Sequence, residues 1–137
     1  MKDSISFCVP GRPVTQGSKN VFRGRVVESS KGLKAWRAAV TWQAGYAAAS
    51  LVSHVPLVGP LALTADFYFK RPKRPAHAYP MPDLDKLVRA IGDACKVAGL
   101  ITDDSQFTVL SASKGWADDS GEREVGVGVS IYPVEME

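Results

Sequence analysis

The chain has 137 residues, 45% of them hydrophobic and 23% charged, proportions that suit one globular domain over 1–137 and leave too little length for a second sizeable core. No segment approaches the roughly 20 apolar residues needed to cross a bilayer, and MKDSISFCVPGRP has neither a hydrophobic signal core nor a cleavage site, so a soluble, cytoplasmic protein with no membrane partner is expected. The net charge of +3 is unevenly divided, with cations crowding positions 11–37 and 70–74 and carboxylates prevailing from 103 onward; this fits a basic surface for a polyanion beside an acidic region, or cations that merely solubilise loops.

Ser4 to Val9 alternates polar and apolar residues until Pro10-Gly11 stops it, the pattern of a half-buried strand. In VFRGRVVE, Gly24 separates two short β-forming runs, so a hairpin is predicted with Lys19, Arg23 and Arg25 on or near it as phosphate-gripping candidates. Ser29 and Ser30 can cap a helix from about Lys31 to Ser50, with Leu33, Trp36, Ala39, Val40, Gln43 and Ala47 near one face. Trp36 and Trp42 then read as packing residues, in the core or against a partner, rather than as base-stacking groups.

Leu61 to Phe69 alternates as a strand and delivers the chain into KRPKRPAHAYPMP, a basic loop stiffened by prolines in which Lys70, Arg71, Lys73 and Arg74 are further DNA-binding candidates. Between a strand and a helix of one compact domain, that loop does not read as a ligand for an SH3-type module. Leu84, Leu87, Val88, Ile91, Cys95 and Ala98 keep helical spacing over about 83–98, and Gly99 can supply a left-handed C-terminal cap. After the ITDDSQ turn, Phe107 to Trp116 and Glu124 to Tyr132 read as two closing strands joined through DDSGE. The order predicts an α+β fold, a mixed β-sheet packed against two main helices in two layers. Cys8 and Cys95 read as buried free thiols; with no CxxC pair and with His54 and His77 isolated, a bound metal would take oxygen ligands.

The acidic residues bracket the second helix. Asp83 and Asp85, two positions apart, would project about 200° from each other on a regular helix and converge only if Asp83 lies at or before the cap. Pro82 favours that arrangement, leaving Asp83 near the N-cap and Asp85 in the first turn. Aspartates at such positions also serve as caps and complement the helix dipole, so the pair alone is open between capping and chemistry. Asp103 and Asp104 follow the helix after a tight turn. If one of them joins Asp83 and Asp85, their mutual repulsion calls for a hard divalent cation, and magnesium fits best. Such an ion would polarise a scissile phosphate and activate water. Arg89, four residues after Asp85, rises from the same helix face, with Lys86 as a second cation in reach; the ordinary alternative is an intrahelical pair with Asp85 or Asp93.

The tract PDLDKLVRAIGDACKVAGLITDDSQ, about a fifth of the chain, resembles the signature of the RusA family of Holliday junction resolvases, in which Asp-Leu-Asp-Asn, a helix, a Gly and Asp-Asp-Ser/Ala-Gln occur in that order. The segment GRPVTQGSKN, the central strand and the two closing strands follow the family's layout more loosely. The resemblance implies a RusA-like domain and a magnesium-dependent endonuclease, with manganese as a substitute ion. It further implies a homodimer that binds four-way or branched DNA and nicks two strands symmetrically in recombination and repair. By position Asp83, Asp85 and Asp104 would be the metal-binding catalytic aspartates, and Asp103 a supporting neighbour. The family's catalytic lysine falls on Arg89, which keeps the charge but not a titratable ammonium, and Lys86 replaces the usual Asn and offers a lysine nearby, among the DNA-binding candidates. Two other functions remain open on the sequence: a non-catalytic junction-binding protein, and a nuclease for flap or fork DNA.

Overall fold

The computed structural model describes residues 4–17, 19–22, 24–28, 31–51, 54–74, 77–118 and 124–135, with 19–22, 25–28 and 51 described by backbone alone. In β1 (Ile5–Pro10), Ile5, Phe7 and Val9 are buried while Ser6, Cys8 and Pro10 are exposed, as alternation on a pleated strand requires. β2 (Lys19–Phe22) and β3 (Arg25–Glu28) pair with each other as an antiparallel hairpin. β4 (Leu61–Phe69), β5 (Phe107–Trp116) and β6 (Gly126–Pro133) join β1 in a four-stranded sheet among the described residues, ordered β1-β6-β4-β5. β6 is antiparallel to both its neighbours, whereas β4 and β5 are parallel and are connected through α2 (Leu84–Val97). The mixed sheet with helices is therefore the α+β fold that the pattern predicts.

Register explains the core. Ile5, Ile131 and Leu63 lie in one cross-strand row, Phe7, Val129 and Ala65 in the next, and Val9, Val127 and Phe67 in a third. These rows belong to a single buried cluster that also takes in residues of α1 (Leu33–Leu51) and α2, among them Val40, Ala44, Leu87 and Ile91. The intervening residues form the other sheet face, where Ser6 and Ser130 share a hydrogen bond of 2.9 Å and Ser113 donates to Asp66 at 2.6 Å. Cys8 belongs to this polar face and is exposed, which corrects the expectation of two buried thiols; Cys95 is fully buried on α2. The buried face of α1 runs through Leu33, Trp36, Val40, Ala44, Ala47 and Ala48. Trp42, 65% exposed, turns away from it and stacks on Tyr46 with centroids 5.7 Å apart, so it is not a core residue. Among the described residues no helix is long and apolar enough to cross a membrane.

α2 runs back along β5. Its entry is held where Lys114 Nζ donates to the Pro82 carbonyl at 2.8 Å, and further along Gly92 stands near Phe107. Its end is closed by Gly99, at φ 78°, whose N–H donates to Lys96 O while Leu100 N–H reaches Cys95 O. That paired arrangement satisfies the last helical carbonyls and turns the chain toward the acidic return loop.

Candidate active site

Asp83 occupies the N-cap of α2 with extended backbone angles (φ −67°, ψ 127°), and its side chain makes no capping hydrogen bond. The capping role open to it is therefore left to its carbonyl, which accepts from Leu87 N–H at 3.0 Å. Its carboxylate lies 3.7 Å from Lys86 Nζ in an (i, i+3) pair, and with 65% of the Asp83 side chain exposed such a pair contributes little. Asp85, in the first turn, is exposed and has no hydrogen bond or ion pair among the described residues.

The two later aspartates have different tasks. Asp103 caps a short 3₁₀ turn (Asp104–Gln106): its carboxylate accepts from Ser105 N–H at 3.1 Å and from Lys96 Nζ at 2.9 Å. Hydrogen bonding to Ser105 and then to Lys96 holds its carboxyl well below the usual carboxylate range, and the same contact raises Lys96. Gln106 locks the turn, its Oε1 accepting from Thr102 N–H at 2.8 Å and Asp103 N–H at 3.0 Å while its Nε2 donates to the carbonyls of Leu57 and Gly59. Asp104 is left exposed and uncommitted, with its Cβ packed beside Gly92.

Gly92 is seven residues past Asp85, about 10 Å or two helical turns farther along nearly the same face. Asp83 and Asp85 thus stand at one end of a helix stripe and Asp104 beside its middle. Among the described residues no three His, Cys, Asp or Glu side chains are gathered into a group that could hold a metal ion. In kind the donors suit a hard cation, being all oxygen and uncommitted to strong partners; in place they are spread along α2.

Arg89 lies between these ends on the same stripe, exposed, with its guanidinium against the backbone of Gly17. Gly17, at φ 103°, adopts a backbone conformation that L side chains rarely take, and Arg89 Nη1 lies where a Cβ would project. Beside it Gln16 N–H donates to Lys86 O at 3.0 Å and the Gln16 amide hydrogen-bonds the Asp93 carboxylate. Asp93 is thereby taken by Gln16, and Arg89 has no carboxylate partner among the described residues. Gln16, Gly17, Gln106 and Lys114 are supporting residues to which the sequence reading assigns no role, although Gln106 closes the quoted signature and Gln16 and Gly17 lie in GRPVTQGSKN. Apart from the local contacts of Gln106 to Thr102 and Asp103, their partners lie tens of residues away, and only the Gly-rich character of GRPVTQG hints at a close backbone approach.

Of the DNA-binding candidates, Lys70, Lys73 and Arg74 are exposed on the loop that leads into α2, and Lys86 is half-buried beside Asp83. Arg71 is tied down, 3.2 Å from Asp118 and 5.5 Å from the Trp116 ring centroid. Lys19 and Arg25 lie on the hairpin strands, where backbone alone is described, and Arg23 lies outside the described residues.

Compared with known families, the chain matches the family model for endodeoxyribonuclease RusA over residues 10–131. No curated protein matches it.

Proposed function

The chain belongs to the RusA endodeoxyribonuclease family, and from that membership we propose that it is a magnesium-dependent nuclease that resolves four-way DNA junctions by paired, symmetric nicks. Its work would lie in recombination and repair, in the cytoplasm. The observation that supports this reading is the set of exposed carboxylates, Asp83 and Asp85 at the entry of α2 and Asp104 beside Gly92, with Lys70, Lys73 and Arg74 on the loop that leads into that helix.

Asp83, Asp85 and Asp104 would hold the ion as exposed oxygen donors, Asp83 paired with Lys86 at 3.7 Å. Magnesium bound there supplies Lewis acidity toward a phosphate and a water of lowered pKa, and manganese, also suited to oxygen ligands, would substitute. The chain's own cations do the rest. Arg89, kept clear of Asp93 by Gln16 and backed by Gly17, presents a delocalised charge where negative charge grows on the phosphate; being always protonated, it acts as an electrostatic group and not as a proton donor. Lys86 stands beside Asp83 at the same end. Lys70, Lys73 and Arg74 grip phosphates without reading bases. One chain carries one carboxylate set, whereas two symmetric cuts need two, so the working unit is a homodimer whose two-fold axis matches that of the junction.

Asp85→Asn and Asp104→Asn each remove anionic ligand character with little change in volume. Each is expected to lower magnesium-dependent cleavage of a synthetic four-way junction by at least about a hundredfold while leaving junction binding intact. Full cleavage by either variant overturns the assignment. The spread of the carboxylates along α2 favours a second reading, a junction-binding protein without catalysis; it predicts retained junctions and no product at any magnesium concentration. A panel of flap and fork substrates separates junction resolution from cutting of other branched DNA.

A further inference from the structure

Between the end of β4 and the entry to α2 lies a cavity of about 490 Å³ that the catalytic proposal does not use. Its lining includes the buried Phe69 and Trp116, 4% and 7% exposed, together with Met81, Pro82 and the exposed cations Arg12 and Lys70. The volume falls within the roughly 300–1,000 Å³ of ligand pockets. Its shape is held from behind: Trp116 Nε1 donates to the Ala78 carbonyl at 3.2 Å, and Lys114 Nζ ties down the Pro82 carbonyl at 2.8 Å.

We propose that this cavity receives a nucleobase unstacked at a DNA branch point, held against Phe69, Trp116 and Met81, with the neighbouring phosphates on Arg12 and Lys70. The inference rests on the reading of branched DNA as substrate and adds how the branch is recognised. Apolar and aromatic walls accept any base through its π-face, which gives affinity without sequence preference. The exposed cations Arg12 and Lys70 on an otherwise apolar lining complement a base joined to phosphates. Extracting a base from continuous duplex carries the full loss of its stacking and pairing, while a base at a discontinuity has lost part of both, so the cavity selects the branch. Pro82 lines the cavity and directly precedes Asp83, so a nucleotide seated there brings its adjoining backbone to the carboxylate stripe.

The test measures binding of the full chain without divalent metal to four-way junctions in which each branch-point nucleotide in turn is made abasic, with linear duplex as control. The wild-type chain is expected to bind about tenfold more weakly when the seated base is missing, the scale of one base–aromatic contact. Met81→Trp, at an exposed position, fills the cavity without altering charge; it is expected to bind normal and abasic junctions alike and linear duplex as the wild type does. A wild-type chain indifferent to every abasic position overturns the proposal, with no variant needed. So does a Met81→Trp chain that keeps the wild-type preference, or one whose only change is its sedimentation mass, which would place a second copy's side chain in the cavity. Absence of any preference for junction over duplex sinks the substrate reading itself, whereas tight junction binding that ignores the bases sinks the cavity alone.

Discussion

Gln106 commits its whole side-chain amide to main chain: two N–H groups of the acidic turn on one side, and the carbonyls of Leu57 and Gly59 on the other. It thereby fixes the turn that carries Asp104 to a loop almost fifty residues earlier, at a separation of 47 to 49 in sequence. Gln106→Ala leaves those groups to water and is expected to lower stability by about 2 kcal/mol, read as a drop in the urea midpoint at constant slope. Next to it, Asp103 has a folded pKa below its unfolded value near 3.9. Its contribution is therefore complete above the ordinary carboxylate range and is lost only as pH falls below it, toward the depressed value. The carboxyl carbon of Asp103 is accordingly expected to report an ionised group by NMR at pH 3, where an unperturbed aspartate is largely protonated. Lys96, raised by the same pair, contributes at neutral pH and loses its part as pH climbs through its raised value.

Among the elements, β1 and α2 show how a period decides chemistry. The two-residue period of β1 turns Ile5, Phe7 and Val9 into the core and sends Cys8 to the polar face of the sheet. The longer period of α2 buries Cys95 with Leu87 and Ile91, and burial pushes its thiol up to about 12. A thiol reagent at pH 8 is expected to label Cys8 promptly and Cys95 only on unfolding, so mass spectrometry should find one label per native chain. The same period sets Asp85, Arg89 and Gly92 on nearly one stripe, with Asp104 laid beside the glycine. β5, at the sheet edge, leaves Val109 and Leu110 exposed, 47% and 56%.

For the molecule as a whole, the proposed pairing of two carboxylate sets predicts a dimer in solution. Sedimentation is expected to give twice the 14.7 kDa chain mass, and a stable monomer that still nicks both strands in one encounter would remove the need for it. Nearly all of the fold was legible in the residues, because alternation at β1, β4 and β6, helical spacing at α2 and the glycine after it are local signals tied to backbone geometry. The inward or outward direction of Cys8 and Trp42 was not, since thiols and indoles at such positions are compatible with either face until register and helix rotation are set. The proposed site positions Asp83, Asp85, Arg89 and Asp104 were singled out from residue type and spacing alone. Tertiary structure alone decided that Gln106 anchors the acidic turn to Leu57 and Gly59, and that the Asp93 carboxylate accepts from Gln16. It also laid the Cβ of Asp104 beside Gly92 of α2. The Gln16 and Gln106 contacts join segments far apart in sequence, and such contacts follow from how the helices settle on the sheet, which no local period encodes.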